Sequence, residues 1–466
     1  MTTPDLLRRT AELAAQFLDG LPGRRVGPAA SLEELRTALG GPLPERGEEP
    51  LAAVEELARA ADPGLVGMAG PRYFGFVIGG AVPAALAADW LTSAWDQNAG
   101  LYVTSPASAV VEEVAAAWLR DLLDLPAAAS VGFSTGCAMA NFTALAAARH
   151  AVLARAGWDV ETAGLFAAPE IDVVLGEEAH ATIFSALQML GLGRERVKWA
   201  AADGQGRMRA DALRQALSSC RGPLIVCAQA GNVNTGACDP LPEIAAAVHE
   251  RGGWLHVDGA FGLWAKASPA LRRLVAGAEL ADSWATDAHK WLNVPYDSGL
   301  VAVADPAAHR AAMTISAAYL AQTAGRERDP FDWVPEFSRR ARGFTVYAAL
   351  RTLGRSGVAD LVERCSALAR RMAARLAAVP GVEILNDVVL NQVLVRFSPA
   401  GGSASPEAID AFTREVIARV QAEGTCWLGG TVWQGKAAMR ISVSNWSTTE
   451  EDVDRSAAAI LACARR

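Results

Sequence analysis

Short apolar runs alternate with stretches of helical apolar spacing along the middle of the chain, from about residue 105 to residue 303. One of the runs, LIVCA, has no polar position, which is typical of a strand buried on both faces of a parallel sheet. Strands that alternate with helices predict a mostly parallel α/β sheet. The predicted strands are 171–175, 223–228, 254–257, 283–286 and 299–303, and the predicted helices are 107–123, 141–155, 181–190, 209–218 and 241–251.

Both ends of the chain have a different pattern. Three helical stretches predict an N-terminal helical segment, residues 1–65, ahead of a large domain over 66–330. Few apolar periods occur in 305–340, where Gly, Pro and mixed charges predict a long loop. Residues 331–466 mix helices and strands, which predicts a smaller α+β domain. The predicted terminal helices are 4–19, 31–40, 51–62, 344–353, 358–379, 406–422 and 449–463, and the strands are 382–385, 392–397 and 438–443.

Composition narrows the class of protein. The 466 residues are 51% hydrophobic and 20% charged, which indicates a globular chain and excludes broad disorder. The 43 basic and 51 acidic residues give a net charge of −8, so we expect no nucleic-acid partner. No long apolar window or secretory signal is present, so we expect no membrane association. Seven scattered cysteines without a C-x-x-C pair favour reduced thiols in the cytoplasm and no metal site.

Two segments offer sites for an anion and for a flat ligand. Gly132–Asn141 is a turn of small residues before a helix that starts near Met139, and helix N-termini of this kind attract phosphate, although a plain helix cap has the same pattern. Asp258 ends an apolar strand, where open α/β sheets bind ligands. The small residues Gly259 and Ala260 follow it and leave room beside the backbone; a solvated loop aspartate is the alternative.

A lysine and a histidine complete the set. The chain has only four lysines, and Lys290 follows a short apolar strand 32 residues after Asp258, with His289 beside it. His180, which follows the predicted strand 171–175, is the candidate histidine. A surface lysine is the alternative for Lys290, and a structural role is the alternative for His180. Together, a phosphate cradle, a histidine, a strand-end aspartate and a strand-end lysine match what pyridoxal 5′-phosphate (PLP) requires. The lysine forms a Schiff base, and the aspartate keeps the pyridine nitrogen protonated.

At these residues the sequence resembles the group II PLP-dependent amino-acid decarboxylases, which include aromatic-L-amino-acid, glutamate and diaminobutyrate decarboxylases. The resemblance implies the type I, aspartate aminotransferase-like fold of PLP-dependent transferases: an α/β large domain with a mostly parallel seven-stranded sheet, and a smaller α+β C-terminal domain. The most specific motifs are HVDGAFG and ADSWATDAHKWLNVPYDSG. The supporting motifs are PRYFGF, SPASAVVEEV, FSTGCAMANFTAL, GNVNTGACDP and MRISVSNW.

The resemblance implies roles around the cofactor. Lys290 is the Schiff-base lysine and Asp258 pairs with the pyridinium. His180 stacks on one face of the ring, and Ala260 lies on the other. The remaining implied cofactor contacts are Asn232 near the phenolic oxygen, and Gly136, Cys137, Ala138 and His289 around the phosphate.

The resemblance also implies roles around the substrate. Tyr319 looks like the loop tyrosine that protonates the carbanion after CO₂ leaves, and its loop reaches the partner subunit's site, which implies a homodimer with the active site at the interface. Arg440 matches an arginine that meets the substrate carboxylate in some relatives. The other implied pocket residues are Tyr73, Phe74, Phe76, Trp95 and Gln97.

Three departures from the family pattern stand out. Cys137-Ala138 replaces Gly-Ser/Thr in the phosphate turn, so a hydroxyl donor is missing. Asp287 replaces an asparagine three residues before the lysine, and a carboxylate beside a phosphate dianion is unfavourable unless it turns away or shares a proton. After the loop, 345–347 read Thr-Val-Tyr instead of Lys-x-Trp. The first two departures predict an altered hold on the cofactor.

The leading hypothesis is α-decarboxylation of an L-amino acid to an amine and CO₂. The aromatic residues near 73–95 favour a flat or apolar substrate, although they are equally typical of a core, and Asp96 is suited to a cationic side chain. The alternatives are an aldehyde-forming oxidative decarboxylase, an aldolase or other lyase, an aminotransferase, or a PLP-fold protein without catalysis. The resemblance implies that the presence of Tyr319 favours simple decarboxylation, because relatives that form aldehydes lack this tyrosine.

Overall fold

The chain divides into two compact units. The computed structural model describes residues 2–314, 327–400 and 404–465. The first unit comprises Met1–Ile78, Arg370–Leu385 and Val393–Arg466, and the second comprises Gly79–Ala369 and Asn386–Gln392. The domain boundaries expected after residues 65 and 330 stay a prediction, and these two units have different bounds.

A seven-stranded sheet forms the second unit. Its strands, in the order β1-β7-β6-β5-β4-β2-β3, run parallel except for β7, which is antiparallel to β1 and β6. The expected fold class, a mostly parallel seven-stranded sheet with a smaller sheet elsewhere, is therefore confirmed. The strands are β1 (Ser130–Ser134), β2 (Asp172–Gly176), β3 (Lys198–Ala200), β4 (Leu224–Gln229), β5 (Trp254–Asp258), β6 (Ser283–Asp287) and β7 (Gly299–Val303).

Burial on both faces explains why these strands read as apolar runs. Every residue of β1, β4, β5, β6 and β7 is buried. Ala140, Ala144 and Ala147 of the helix Cys137–Arg155 are completely buried in the same core, and such small side chains let the helix approach the sheet closely. The N-terminal end of this helix is thereby fixed near the strand ends that carry Asp258 and Asp287.

Helices cover this sheet, and three of them were not predicted. No helix was expected at Pro83–Trp95 or at the short Val160–Ala163. The third, Pro306–Met313, lies inside the segment 305–340 that was expected to be one long loop, and that prediction is therefore wrong in that part. Asp305 caps Pro306–Met313 by accepting the N–H groups of Ala307 and Ala308, a local signal that apolar spacing misses. The helices of the second unit are α4 (Pro83–Trp95), α5 (Pro106–Leu122), α6 (Cys137–Arg155), α7 (Val160–Ala163), α8 (Ala181–Met189), α9 (Ala210–Ser218), α10 (Leu241–His249) and α11 (Pro306–Met313).

The first unit combines helices with a four-stranded sheet of order β10-β11-β9-β8. The long helix α12 begins in the second unit and ends in the first. Gly354, with a φ of 62°, interrupts it between the two helices that were expected at 344–353 and 358–379. The remaining helices are α1 (Thr3–Gly20), α2 (Leu32–Leu39), α3 (Pro50–Ala61), α12 (Gly343–Ala377), α13 (Pro406–Glu423) and α14 (Glu450–Ala464), and the strands are β8 (Val382–Ile384), β9 (Gln392–Phe397), β10 (Gly429–Trp433) and β11 (Lys436–Ser442).

Two features of the described residues bear on the search for a site. No described helix combines the length and apolarity needed to cross a membrane. The strands β5 and β6 are parallel neighbours, with Asp258 opposite Ala285 in the register. Their carboxyl ends therefore carry Asp258 and Asp287 to the same edge of the sheet, and Lys290 follows three residues later.

Candidate active site

Lys290 lies in the turn after β6, and its side chain is 19% exposed. Its Nζ is 2.8 Å from Asp287 Oδ2. Burial lowers the pKa of the Lys290 ammonium, but the neighbouring acidic groups, Asp287 first among them, together outweigh burial and the net direction is upward. A lysine held beside one carboxylate at a sheet edge is suited to exchange that ion pair for a covalent bond to an aldehyde.

The other three lysines are placed for different roles. Lys198 pairs with Asp172 at 2.7 Å. Lys266 is buried and pairs with both Asp124 and Glu279. Lys436 is exposed at the start of β11. Of the four, Lys290 is the one at the edge where β5 and β6 end.

Asp258 ends β5 and is 4% exposed. Its carboxylate accepts the N–H of Ala260 at 3.2 Å and a side-chain N–H of Asn141 at 3.4 Å. The Cys137 thiol lies 3.5 Å from Asp258 Oδ1. Burial raises the pKa of that thiol well above its ordinary value, so the thiol stays neutral and donates weakly to the carboxylate.

A chain of hydrogen bonds leads from the core to Asp258. Trp254 Nε1 donates to Ser283 Oγ at 2.9 Å, and Ser283 Oγ lies 3.0 Å from His256 Nδ1. His256 Nε2 lies 2.9 Å from Asn141 Oδ1, and Asn141 Nδ2 faces Asp258 Oδ2. We call Trp254, Ser283, His256, Asn141 and Asp258 the relay.

The direction of every bond in the relay is fixed by chemistry. A carboxylate only accepts, so Asn141 presents its NH₂ group to Asp258 and its oxygen to His256. His256 must then carry its proton on Nε2. Burial lowers the pKa of His256 to about 4, so the ring is neutral and Nδ1 accepts from Ser283. The relay therefore holds one donor on Asp258 without adding a charge.

Asn141 also connects Asp258 to His180. His180 caps the N-terminus of α8, where its Nδ1 accepts the N–H of Thr182 at 3.3 Å and lies 2.9 Å from Thr182 Oγ1. Asn141 Nδ2 donates to the same Oγ1 at 3.2 Å. With Nδ1 accepting, a neutral His180 carries its proton on Nε2. Sequence analysis did not identify Asn141, Thr182 or His256 as site residues.

The N-terminus of α6 forms the second part of the site. The backbone N–H that would bind an anion there, that of Cys137, already donates to a carboxylate. Asp287 Oδ1 accepts the N–H of Cys137 at 2.6 Å. A Cβ on Gly136 would come within 3.2 Å of His289 Cε1 and 3.4 Å of Asp287 Oδ1, so a glycine leaves the space open. Ala138 is the exposed second residue of the helix. We call Gly136, the Cys137 N–H and His289 the anion cradle.

Helix α6 begins at Cys137, two residues before the expected start near Met139. The cause is the contact with Asp287, which caps the first N–H of the helix from 150 residues away. No local pattern in the sequence reports such a cap.

His289 is oriented by its backbone surroundings. Its Nδ1 accepts the N–H of Ser298 at 3.2 Å, so the neutral ring directs Nε2–H towards Asp287 Oδ1, 3.4 Å away. Its ring lies 4.3 Å from that of Tyr296. Burial lowers the pKa of His289, and the Asp287 carboxylate only partly opposes this, so the ring is neutral at pH 7.

Two further candidates lie in loops of the second unit. Asn232 is 1% exposed, and its Oδ1 accepts the N–H groups of Asn234 and Thr235, so its amide organises its own turn. Ala260 joins the two carboxylate residues, because its N–H donates to Asp258 and its carbonyl accepts the N–H of Asp287 at 2.9 Å.

The candidate substrate residues of the first unit cluster around Trp427. The Tyr73 ring stacks on it at 5.1 Å, and the Phe76 ring lies 5.6 Å away and is 57% exposed. The Phe74 N–H donates to the Trp427 carbonyl, and Phe74 itself is buried. Arg440 lies on β11 and is partly buried, which lowers its pKa, and no described carboxylate is within ion-pair distance of it.

The remaining candidates divide between described and masked parts of the chain. In the second unit, the Trp95 ring packs edge-on against Phe344 at 5.0 Å, and Gln97 Nε2 donates to the Trp95 carbonyl. Both residues are exposed. Tyr319 lies outside the described residues.

Comparison with known proteins decides the family. Residues 33–398 match the pyridoxal-dependent decarboxylase conserved domain. The chain belongs to this family. It is a PLP-dependent carboxy-lyase that removes the α-carboxylate of an amino acid.

Individual relatives and one solved structure agree with this membership. An aromatic-L-amino-acid decarboxylase of Bacillus atrophaeus is 25% identical over 96% of this chain and 92% of its own length. An L-2,4-diaminobutyrate decarboxylase of Rhizobium meliloti is 32% identical over 89% of this chain and 82% of its own. The crystal structure of Oryza sativa TDC with PLP and tryptamine has a TM-score of 0.92 at 23% identity, covering 99% of this chain and 97% of that chain, and it shows the fold alone.

The residues present fit PLP with one conflict. Lys290, the buried Asp258 and the small Ala260 lie at one edge of the sheet, as an aldehyde, a pyridine nitrogen and a flat ring require. The anion cradle suits a phosphate, since its Cys137 N–H already binds one anionic group, the Asp287 carboxylate. That carboxylate is the conflict, because it occupies the same donor that the phosphate needs.

Proposed function

We propose that this decarboxylase acts on an aromatic L-amino acid and that Lys290 is its cofactor lysine. The observation that supports Lys290 is its position. Among four lysines, it is the one at the shared end of β5 and β6, three residues after Asp287 and on the edge that carries Asp258. When bound, PLP supplies an electron-accepting ring that takes up the electron pair left when CO₂ departs.

The residues of the site have separate tasks in this proposal. Lys290 would hold PLP through its side-chain amine and would give up that place to the substrate amine. Asp258 holds a proton on the pyridine nitrogen, and the relay keeps its carboxylate oriented through Asn141. His180 bounds one side of the ring and Ala260 leaves room on the other. The anion cradle and the adjoining Ala138 hold the phosphate, and Asn232 adds a polar neighbour.

Lysine labelling tests the assignment directly. Borohydride reduction of the protein with bound PLP, followed by peptide mapping, is expected to place the label on Lys290. Lys290→Ala should abolish the label, while Lys436→Ala, at an exposed position of β11, should retain it. A label on Lys198, Lys266 or Lys436 would overturn the assignment.

The proton that replaces CO₂ is assigned to Tyr319 on the basis of sequence. A phenol is a suitable proton donor to a carbanion. We expect Tyr319→Phe to bind PLP with the wild-type affinity and to lose amine formation. Parallel assays of CO₂, amine, aldehyde, peroxide and keto acid distinguish simple decarboxylation from the aldehyde-forming, lyase and transamination alternatives. Undiminished amine formation by the variant would exclude the tyrosine as donor.

Support for an aromatic substrate comes from the aromatic residues Tyr73, Phe76 and Trp95 in the sequence and from the aromatic-L-amino-acid decarboxylase of Bacillus atrophaeus. A cationic substrate is the second candidate, since the diaminobutyrate decarboxylase is 32% identical and Asp96 is exposed. A panel of L-Trp, L-Tyr, L-Phe, L-Glu and L-2,4-diaminobutyrate with product mass spectrometry decides between them. The roles of Phe74, Trp95, Gln97 and Arg440 in substrate binding stay predictions.

A homodimer and a cytoplasmic location complete the proposal. Trp90, Leu91 and Trp95 on α4 are each more than 40% exposed, an unusual density of large apolar side chains that a second copy of the chain would cover. All seven cysteines are free thiols, which favours a reducing compartment. Sedimentation equilibrium should give twice the chain mass of 48.8 kDa, and a monomer would contradict the dimer.

A further inference from the structure

The anion cradle holds an unexpected occupant. Asp287 Oδ1 accepts the Cys137 N–H at 2.6 Å, and its Oδ2 lies 2.8 Å from Lys290 Nζ. The carboxylate has therefore not turned away from the site. It binds the helix N-terminus with one oxygen and the cofactor lysine with the other, at 2% exposure.

The charges around Asp287 leave little compensation for another anion. Asp258 is the nearby carboxylate on β5, and Lys290 supplies a positive charge. His289 is neutral, and the neighbouring Tyr296 has its pKa raised to about 12 by burial, so both rings are uncharged at pH 7. The Cys137 thiol is neutral as well.

Asp297 and Arg342 are the other charged pair close by, and they neutralise each other at 2.7 Å. A phosphate dianion entering the cradle would therefore meet two carboxylates and one ammonium, and that ammonium is consumed or shared when Lys290 binds the aldehyde. Like charges a few ångströms apart are not ionised together, so a proton is taken up.

We propose that Asp287 competes with the PLP phosphate for the Cys137 N–H, and that PLP enters the cradle with uptake of one proton by Asp287. The protonated carboxyl then donates to the phosphate instead of repelling it. This rests on the proposed role of Lys290 as the cofactor lysine. Under this proposal the affinity for PLP falls as the pH rises, and the Asp287 carboxylate is the cause of the fall.

The phosphate selectivity of the site measures this directly. We define it as the ratio of the dissociation constant of pyridoxal, which has no phosphate, to that of PLP, each determined from the absorbance and tryptophan fluorescence of apoenzyme titrations. Effects of a substitution on the reactivity of Lys290 act on both aldehydes and cancel in the ratio. The range pH 7.0–8.5 keeps the phosphate a dianion.

In the wild type the ratio should fall by up to about tenfold for each pH unit, as expected when binding takes up one proton. Asp287→Asn keeps the shape of the side chain and removes its charge. Its ratio should be about tenfold or more above the wild-type value at pH 8 and should depend little on pH. Asp211→Asn, an exposed aspartate of α9 that pairs with Arg209 on the surface, should keep the wild-type ratio.

Two results would overturn the proposal about Asp287. One is an Asp287→Asn ratio equal to that of the wild type. The other is a wild-type ratio that does not change with pH, a result that does not depend on the folding of any variant. Borohydride trapping with pyridoxal shows whether the role of Asp287 alone is wrong or whether the assignment of Lys290 is wrong as well. If pyridoxal labels Lys290 but the ratios do not differ, only the role of Asp287 is wrong; if neither aldehyde labels Lys290, both proposals fall.

Discussion

Replacing His256 by glutamine removes a titrating group from the relay and is expected to make the folded protein less sensitive to acid. Burial lowers the pKa of His256 to about 4, whereas a histidine of the unfolded chain titrates near 6.5. Between these values the unfolded chain binds a proton that the folded chain does not, so the free energy of unfolding falls as the pH falls. From pH 7 to pH 5 the loss through His256 is about 2 kcal/mol, at about 1.4 kcal/mol per pH unit below 6.5.

Urea unfolding of the cofactor-free protein at both pH values measures this loss. His256→Gln retains an N–H for Asn141 Oδ1 and should lose about 2 kcal/mol less than the wild type over the interval. His309, whose pKa burial lowers to about 3, contributes equally to both proteins and cancels in the comparison. An equal loss of unfolding free energy in the wild type and in His256→Gln would refute the conclusion that His256 is neutral and that the direction of each hydrogen bond in the relay is fixed.

Three more substitutions probe the framework of the site. Glu112→Gln leaves the fully buried guanidinium of Arg339, 2.8 Å away, without its carboxylate and should lower the free energy of unfolding by about 3–5 kcal/mol in urea titrations; a change below about 1 kcal/mol would contradict this. Asn141→Leu strands the buried His256 N–H and should cost about 1–3 kcal/mol in the same assay and also slow turnover, and unchanged values of both would exclude the relay. Gly136→Ala places a methyl group 3.2 Å from His289 and should weaken PLP binding more than pyridoxal binding; equal weakening would argue against a phosphate there.

The fold and the chemical centre follow from local sequence signals. Buried parallel strands read as continuous apolar runs, and the strand that ends at Asp258 and the strand that precedes Lys290 were found for this reason. The strands β1, β3 and β10 were not found. β3 has three residues and a partly polar sequence, and β10 begins with two glycines, so neither has the apolar run that marks a buried strand.

The contacts that complete the site join residues far apart in sequence, which explains why they were not predicted. His256 precedes Asp258 by two positions on β5, so both side chains point to the same face of the strand, and this can be predicted from the HVD motif. Asn141 lies 115 residues before His256, on a different element. Its position on the same face of α6 as Cys137, one helical turn later, becomes informative only when the helix is docked on the sheet.

Two of the three departures from the family pattern, Cys137-Ala138 and Asp287, meet at the N-terminus of α6. Ala138 has no hydroxyl to offer an anion, and Asp287 supplies an acceptor for the backbone N–H of Cys137. In the absence of cofactor this bond satisfies the end of α6, and the same carboxylate neutralises Lys290, so the cofactor-free site has few unmet charges. Such a site is stabilised without PLP at the expense of affinity for it. Removing the charge at position 287 should therefore tighten PLP binding and, at the same time, lower the free energy of unfolding of the apoenzyme, two opposite changes that a merely structural role for Asp287 would not produce together.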